Sequence, residues 1–323
     1  MTRDPGARLR IGVVGAGRSR NGLGPFLAQH FEAAGAQVVA VAGRTAERGR
    51  ANAAALAATL GHDVAAADDL EGVFAHELDA LVVASPAEQH LVALEAALQN
   101  RVACLCEKPL VTPAQLAEGR SALAGFAARG VLLAENTQWP HVLPAVTALH
   151  GPAPAPARRL AMGLSPTGVG AVAMLEDAVP HLLSVAQALL PPAAQRTAVL
   201  AAVEVAPRDP AATACALRLR LVHDDGELQA ELHLRRQLEQ PRPAWLAVDD
   251  RRIDRRIGPG YSIAFAADDR EVSVEDPLRQ LVRAFCAGLA APAAARASAA
   301  AVAAPALAWR LARYGEILAA AGG

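Results

Sequence analysis

Residues 9–17 read LRIGVVGAG, and this stretch decides the fold class of the chain. Its first six residues carry a single charge and are otherwise apolar or glycine, which is typical of a buried strand. The glycine-rich end of the stretch, Gly15-Ala16-Gly17, indicates a tight turn. A helix is predicted next, over about residues 23–34, so the chain opens with a strand, a turn and a helix.

Outward from this stretch, apolar strands alternate with helical segments up to about residue 134. Such alternation predicts right-handed crossovers and a parallel sheet covered on both faces. We therefore predict an α/β, doubly wound Rossmann domain over residues 1–135. The further strands are predicted at 37–42, 63–66, 80–84, 102–106 and 131–134, and the further helices at 45–60, 68–75, 87–99 and 113–129.

The pattern changes in the second half of the chain. Residues 151–156 form a proline-rich connection, which we interpret as a boundary loop. For residues 136–323 we predict an α+β domain with an antiparallel or mixed sheet. Its clearest strands are predicted at 214–222, 227–236 and 243–248, and its helices at 174–190, 276–291 and 298–320.

Composition excludes several classes of protein. The 323 residues have a formal net charge of -1 with acids and bases interspersed, so no footprint for nucleic acid or an anionic membrane is present. The four cysteines lack the spacing of a zinc site, and reduced thiols are expected. With neither a signal peptide nor a membrane span in the pattern, we expect a cytoplasmic protein that acts on a small molecule and needs no metal.

The glycine-rich turn lies where a dinucleotide fold brings a pyrophosphate close to backbone N–H groups at a helix N-terminus. The third glycine of a strict G-x-G-x-x-G pattern would fall at position 20, which is Arg20, whereas Gly22 and Gly24 come later. The turn is therefore predicted to be about two residues longer than usual. A Rossmann-like domain that binds no nucleotide is the alternative.

The end of the second predicted strand bears on the choice of cofactor. An NAD site usually has an acidic residue there, but this chain has Gly43-Arg44-Thr45. Arginine pairs with a 2′-phosphate, which a carboxylate would repel. We therefore predict NADP, with NAD as a second possibility. Alternatively, Arg44 is a solvated surface residue that contacts no ligand.

Three motifs together resemble the Gfo/Idh/MocA family of glucose–fructose oxidoreductase and inositol dehydrogenase. They are Gly15-Ala16-Gly17, Ser85-Pro86 with His90, and Glu107-Lys108-Pro109. The resemblance implies a Rossmann domain followed, over residues 136–323, by an open, mostly antiparallel sheet that binds substrate and mediates oligomerisation. It also implies a catalytic group of Lys108, Asp177 and His181. The expected cofactor-binding residues are Gly15, Gly17, Arg18, Ser19, Gly22, Arg44, Thr45, Ser85, Pro86, His90, Glu107 and Lys108.

The implied catalytic group is chemically sensible. Asp177 and His181 have the i, i+4 spacing that puts both side chains on one face of a helix, and Pro180 predicts that this helix starts nearby. Oxidation of a secondary alcohol needs a base for the hydroxyl proton, a role that suits His181 near neutral pH. Lys108 would orient the oxygen and stabilise its negative charge. Alternatively, His181 is satisfied by local hydrogen bonds at a helix N-terminus.

Departures from the family pattern concern the substrate. Ser184 stands where many members have an acidic residue, and Val179 replaces a usual glycine. Gln138 and Trp139 occupy the place of an arginine-containing motif and are the candidate substrate residues. Trp139 is either an apolar platform for a sugar ring or a packing residue.

We therefore predict an NAD(P)-dependent dehydrogenase or reductase for a sugar, a cyclitol or a related polyol-like compound. The alternatives are a redox-neutral enzyme that retains its cofactor and a catalytically silent nucleotide-binding sensor. A homo-oligomer, dimer or tetramer, is expected because the open sheet would otherwise expose apolar side chains.

Overall fold

A computed structural model describes residues 7–17, 22–152 and 155–322, which form two compact units. The first unit contains the residues up to Asn136 together with Leu278–Leu307, and the second contains Thr137–Pro277 together with the residues from Ala308 on. The sequence-based division assigns all C-terminal helices to the second domain, whereas residues 278–307 cluster with the first unit. The described part of the proline-rich connection lies inside the second unit, since Arg251 donates to the carbonyls of Gly151 and Pro152.

The first unit contains a six-stranded parallel sheet of order β3-β2-β1-β4-β5-β6, as the alternating pattern predicted. Strands β4 and β5 are fully buried, because helices cover the two faces of a parallel sheet. The strands are β1 (Arg10–Val14), β2 (Gln37–Ala42), β3 (Ala65–Ala67), β4 (Ala80–Val83), β5 (Ala103–Cys106) and β6 (Leu133–Glu135).

Helices connect these strands, and their ends follow capping chemistry. Thr45 and Asp69 accept backbone N–H groups as N-caps of the second and third helices. Short 3₁₀ turns precede the fourth and fifth helices. The helices are α1 (Gly24–Ala33), α2 (Ala46–Leu60), α3 (Leu70–Phe74), α4 (His90–Gln99) and α5 (Leu116–Ala128).

The second unit contains an eight-stranded sheet of order β14-β13-β12-β11-β7-β10-β9-β8. Only the pair of β7 and β10 is parallel, so the predicted mostly antiparallel sheet is confirmed. The strands are β7 (Arg159–Leu164), β8 (Val199–Ala206), β9 (Ala214–His223), β10 (Gly226–Arg235), β11 (Trp245–Val248), β12 (Arg251–Ile257), β13 (Ile263–Ala267) and β14 (Arg270–Val274).

Four further helices complete the chain: α6 (Leu143–His150), α7 (Ala171–Leu189), α8 (Pro277–Ala290) and α9 (Ala293–Gly322). Helix α6 was not predicted from the sequence. Helix α7 packs on β7, β9 and β10. Among the described residues, no helix is both long and apolar enough to cross a bilayer.

The outer face of the second sheet differs from expectation. Along β9, Leu217, Leu219 and Leu221 are buried, whereas Arg218 and Arg220 point to the other, exposed face. We call the exposed side chains Arg218, Arg220, Glu227, Glu231 and His233 the charged face. Arg218 lies 3.4 Å from Glu231 and Arg220 lies 3.2 Å from Glu227. On β9 and β10 this face is therefore charged rather than apolar, because the two-residue strand period turns the leucines inward. At the β8 edge of the same face, Val199 opposite Val222 is 53% exposed, in line with the expectation.

Candidate functional site

The predicted site residues of the first unit follow the carboxyl ends of neighbouring strands. Gly15 follows β1, Arg44 follows β2, Ser85 follows β4 and Lys108 follows β5. Since these strands are adjacent and parallel, the residues lie along one edge of one sheet. This is the edge at which open α/β sheets bind ligands.

The turn after β1 is shaped by glycines that leave no room for side chains. Gly15 has a φ of +88°, and a Cβ there would lie 2.4 Å from the backbone nitrogen of Ser85. Gly24, the first residue of α1, has the same property, because its Cβ would lie 2.6 Å from the carbonyl oxygen of Gly15. Gly24 thus provides the close helix–strand packing of a third motif glycine. Sequence reasoning did not assign it this role, although the following Pro25 was a signal of a helix start.

Two of the predicted cofactor residues, Arg18 and Ser19, lie outside the described residues. Gly17 and Gly22 flank that segment. Pro86 is exposed and begins the 3₁₀ turn before α4, where it accepts a hydrogen bond from Gln89.

Ser85 and His90 have different surroundings. The hydroxyl oxygen of Ser85 is buried and has no hydrogen-bond partner in the part of the chain that the structure describes. His90 is 1% exposed, with Nε2 2.8 Å from the carbonyl oxygen of Ser85 and Nδ1 2.9 Å from that of Pro109. The ring of His90 therefore links the loops after β4 and β5, and its role in binding the cofactor stays a prediction. Burial lowers the pKa of His90 against the opposing effect of both carbonyls.

The loop that carries Lys108 is held by residues that sequence reasoning missed. Glu135 accepts the backbone N–H of Leu110 at 3.2 Å. The side-chain amide of Asn136 donates to the carboxylate of Glu107. Asn136 also donates its backbone N–H to Cys106 at 2.7 Å. Lys108 is half-buried, and the peptide bond that joins it to Pro109 is cis. The signal for Glu135 and Asn136 was their place at the end of β6, next to β5 in the sheet.

Lys108 is also chemically singular. It is the only lysine in a sequence with 31 lysine and arginine residues, so every other such cation is an arginine. Guanidinium and ammonium groups serve equally well on most solvated surfaces, whereas a compact ammonium suits a site that holds one oxygen atom. Composition was therefore a second signal for this residue.

The end of β2 offers Arg44 to solvent. Arg44 is exposed, next to Gly43, where a Cβ would lie 2.5 Å from the backbone nitrogen of Gly49 in α2. Thr45 is exposed as well, and its hydroxyl oxygen accepts the backbone N–H of Arg48 at 3.3 Å as the helix cap. The N-terminus of α2 thus approaches the strand end closely.

In the second unit, α7 carries Asp177 and His181 at half-buried positions one helical turn apart. The helix begins at Ala171, so the prediction that Pro180 marks its start is wrong. Proline is accommodated inside a helix that is buried on most of its surface, where packing outweighs the missing N–H. Ser184, which is 2% exposed, donates its hydroxyl to the carbonyl oxygen of His181 at 2.8 Å.

The candidate substrate residues lie at a 3₁₀ turn, Trp139–Val142, which contacts α7. Trp139 is 4% exposed and meets Phe265 edge to face, with a centroid distance of 6.4 Å. This packing favours the structural interpretation of Trp139 over a sugar platform. The side-chain oxygen of Gln138 is buried and accepts no hydrogen bond from the described residues.

The sheet edge of the first unit fits a dinucleotide. At Gly15 a side chain would overlap the neighbouring strand end, the adjacent Ser85 hydroxyl has an unsatisfied oxygen, and α1 directs its N-terminus to the same turn. Glycine backbone, a hydroxyl and a helix N-terminus are the groups that hold a pyrophosphate. The residues present are therefore suited to such a cofactor.

Comparisons with known proteins agree with this geometry. The model of the Gfo/Idh/MocA family, an oxidoreductase family with an NAD-binding Rossmann fold, matches residues 9–137. Inositol 2-dehydrogenase 4 of Saccharopolyspora erythraea is 35% identical over 121 residues, which cover 35% of this chain. The match spans 34% of that relative, about a third of its length.

Solved structures share the fold over nearly the whole chain. UDP-N-acetylglucosamine 3-dehydrogenase GnnA from Acidithiobacillus ferrooxidans has a TM-score of 0.66 and 21% identity, with 98% of each chain covered. An inositol dehydrogenase homologue from Azotobacter vinelandii, complexed with NADH and myo-inositol, has a TM-score of 0.67 and 15% identity, with 98% of this chain and 96% of that chain covered. At these identities the likeness establishes the two-part fold.

Proposed function

We propose that the chain is an NAD(P)-dependent oxidoreductase, because the model of the Gfo/Idh/MocA oxidoreductase family matches residues 9–137. Its reaction is hydride transfer between nicotinamide and a secondary alcohol or ketone of a sugar, a cyclitol or a related polyol-like compound. The observation that carries the proposal is the row of Gly15, Ser85 and Lys108 along one edge of the parallel sheet.

The proposed chemistry divides the proton and the hydride between two acceptors. A bound nicotinamide supplies the acceptor for the hydride that leaves the alcohol carbon. His181 takes the hydroxyl proton, Asp177 orients or shares it, and Lys108 holds the oxygen as its negative charge develops. Glu107, Asn136 and Glu135 position the loop of Lys108 through the hydrogen bonds described above.

A dehydrogenase screen over sugars, inositols and their acids, with both nicotinamide cofactors, tests the reaction. Lys108→Arg is the informative variant, because it keeps the charge but replaces the compact ammonium by a planar fork. We expect kcat to fall about 100-fold or more for Lys108→Arg and His181→Asn, since each removes a group that acts in the transition state. Cofactor affinity, measured by fluorescence titration, should change little for His181→Asn.

Three results would count against this proposal. Full activity in Lys108→Arg and His181→Asn would remove these residues from the catalytic group. Cofactor that stays bound through purification, without net reduction or oxidation of any substrate, would favour the redox-neutral alternative. A protein that binds nucleotide but turns over no compound in the screen would favour the silent sensor.

We further propose that the cofactor is NADP rather than NAD, because the exposed Arg44 can pair with a 2′-phosphate. Replacing Arg44 by Gln should weaken NADP binding roughly 10-fold, the effect of losing one charge-assisted hydrogen bond, while NAD binding stays nearly constant. Arg50→Gln is the matched control, since Arg50 is another exposed arginine of the same helix region and pairs with Asp68 at 3.8 Å. Equal loss for both cofactors in Arg44→Gln would refute the preference.

A further inference from the structure

The second unit contains a pocket that none of the predicted site residues accounts for. It has a volume of about 810 Å³ and lies where β12 and β14 end and β13 begins. The segment Pro241–Pro243 and the loop Gly258–Ser262 contribute to its lining, and the pocket is partly open to solvent. A volume of this order is typical of sites for small molecules.

Three arginines line this pocket: Arg242, Arg255 and Arg256. Arg255 donates its Nη2 to the backbone carbonyl of Arg242 at 2.8 Å, which fixes its guanidinium beside the residue that carries the second one. The two carboxylates in the lining are Glu271 and Asp276. Glu271 lies 3.4 Å from Arg256, the most exposed of the three arginines.

The two inner guanidinium groups are incompletely satisfied. The Nε atoms of Arg242 and Arg255 are both buried and have no hydrogen-bond partner among the described residues. Burial lowers the pKa of the Arg255 guanidinium, Tyr261 opposes that effect, and the like charge of Arg242 adds to it. These Nε atoms are shielded from solvent, so an anion in the pocket would meet the two guanidinium groups at other atoms. Two like charges held close together repel each other, and an oxyanion placed between them would offset that repulsion.

The pocket is also close to the candidate substrate segment within the same unit. The guanidinium carbon of Arg255 lies 5.9 Å from the centroid of the Trp139 ring. The 3₁₀ turn that begins at Trp139 contacts α7, the helix of Asp177 and His181. The turn at Trp139 therefore lies near both Arg255 of the pocket lining and the proposed catalytic helix.

We propose that this pocket binds a small anionic metabolite, whose carboxylate or phosphate group docks between Arg242 and Arg255. Arginine is the residue best suited to such an oxyanion, since its planar donors match two oxygen atoms at once. The volume exceeds that of an inorganic ion and admits a molecule the size of a sugar acid or sugar phosphate. This binding proposal does not rest on the dehydrogenase activity.

Calorimetric titration of the full chain tests the site directly. The probes are inorganic phosphate, D-gluconate and D-glucose 6-phosphate, with D-glucose as the uncharged comparison. We expect the anions to bind, D-glucose to bind at least 10-fold more weakly, and added salt to reduce anion affinity. Arg242→Gln and Arg255→Gln should each weaken anion binding roughly 10- to 100-fold, the loss expected for a charge-assisted hydrogen bond.

Arg220→Gln is the matched control, because it removes one exposed arginine of the charged face, outside the pocket lining. It should leave anion affinity unchanged. Tryptophan fluorescence and circular dichroism verify that each variant is folded. If Arg255→Gln is unstable, Arg255→Lys takes its place, because it keeps the charge but loses the planar fork. The proposal is overturned if both pocket variants bind the anions as the parent does, or if Arg220→Gln weakens binding to the same extent.

A second experiment distinguishes whether the bound anion is part of the substrate or a separate effector. If the anion belongs to the substrate, turnover of an acidic or phosphorylated substrate should show a raised KM in Arg242→Gln, while a neutral substrate is unaffected. If the anion is a separate effector, inorganic phosphate should change the turnover of a neutral substrate in the parent chain and have no effect in Arg242→Gln. Binding without any turnover in the screen would leave this site standing and count only against the proposed reaction.

Discussion

Gly15 and Gly35 have nearly the same backbone conformation but different surroundings, which separates two requirements for glycine. Their φ angles are +88° and +85°. A Cβ on Gly15 would overlap the backbone of Ser85 and Ala84, whereas a Cβ on Gly35 would meet nothing within 4 Å. Gly35 is thus needed for its conformation alone, and Gly15 also for the close approach of two strand ends.

This pair gives a prediction with an internal control. Gly35→Ala should cost about 1 kcal/mol of unfolding free energy, the strain of a left-handed residue. Gly15→Ala should cost roughly 1–3 kcal/mol more, because backbone must move, and should abolish cofactor binding. Urea unfolding and fluorescence titration measure the two effects. Equal costs for both substitutions would show that the strand ends separate easily.

Sequence reasoning at this scale located residues whose chemistry is tied to a local pattern. The turn at Gly15 and the end of β5 at Lys108 were placed because each follows an apolar strand directly. Glu135, Asn136 and Gly24 were not assigned roles, because their partners are distant in sequence or depend on the length of an unusual turn. The burial of His90 could not be predicted from the sequence either, since both of its hydrogen-bond contacts are to backbone carbonyls.

At the scale of elements, a carboxylate on α1 joins three segments of the first unit. Glu32 accepts the backbone N–H of Val38 in β2 at 2.7 Å, and Nε2 of His62, just after α2, lies 2.7 Å away. Burial alone would raise the pKa of Glu32, but the hydrogen bonds from Val38, His62 and Arg8 keep it below its ordinary value. The carbonyl of Asp63, and then Glu32, raise the pKa of His62.

The two pKa shifts define the pH range in which the Glu32–His62 ion pair stabilises the fold. The stabilisation that His62 contributes to the folded state is complete below its ordinary pKa of 6.5. It is lost as the pH rises through the raised pKa of His62 in the folded state. The stabilisation that Glu32 contributes is complete above its ordinary pKa of 4.5. It is lost as the pH falls through the lowered pKa of Glu32 in the folded state. A double-mutant cycle of Glu32→Gln and His62→Gln should therefore give roughly 0.5–1 kcal/mol of coupling near pH 5.5, fading toward pH 9 and pH 3. Coupling that is constant over this range would contradict the ion pair.

Elements of the second unit were less predictable than those of the first. The parallel strands form continuous apolar runs, which stand out in the sequence. Strands such as β12 (RRIDRRI) are dominated by charge, and their place in the sheet depends on pairing with β11 and β13. Helix α7 started nine residues before Pro180 because its apolar face, which packs on the sheet, outweighs the local preference of proline.

At the scale of the whole molecule, the charged face does not supply the reason for which a homo-oligomer was predicted. The expectation rested on apolar side chains exposed by the open sheet, whereas the charged face carries arginine–glutamate pairs. Exposed ion pairs of this kind contribute little to stability. Their presence therefore argues neither for nor against a second copy of the chain binding to this face. Homo-oligomerisation therefore remains a prediction that the sequence resemblance alone supports.

The distribution of tryptophan makes the two units separately observable. The three tryptophans of the sequence, Trp139, Trp245 and Trp309, all belong to the second unit. Tryptophan fluorescence therefore reports the unfolding of that unit, whereas far-UV circular dichroism reports both. Each unit has its own sheet and core. The two probes can therefore separate the unfolding of the second unit from that of the first.

We therefore expect the two ligands proposed for this chain to stabilise different transitions. Oxidised NADP at about 100 times its Kd should stabilise the first unit by about 2.7 kcal/mol, because it binds only the folded state. It should shift the dichroism transition in urea to higher concentration and leave the fluorescence transition nearly unchanged. An anion held by Arg242 and Arg255 should shift the fluorescence transition instead, and Arg242→Gln should remove only that second shift. Coincident shifts of both probes with either ligand would mean that the units unfold as one cooperative body, and the assignment of each ligand to one unit would then lose this support.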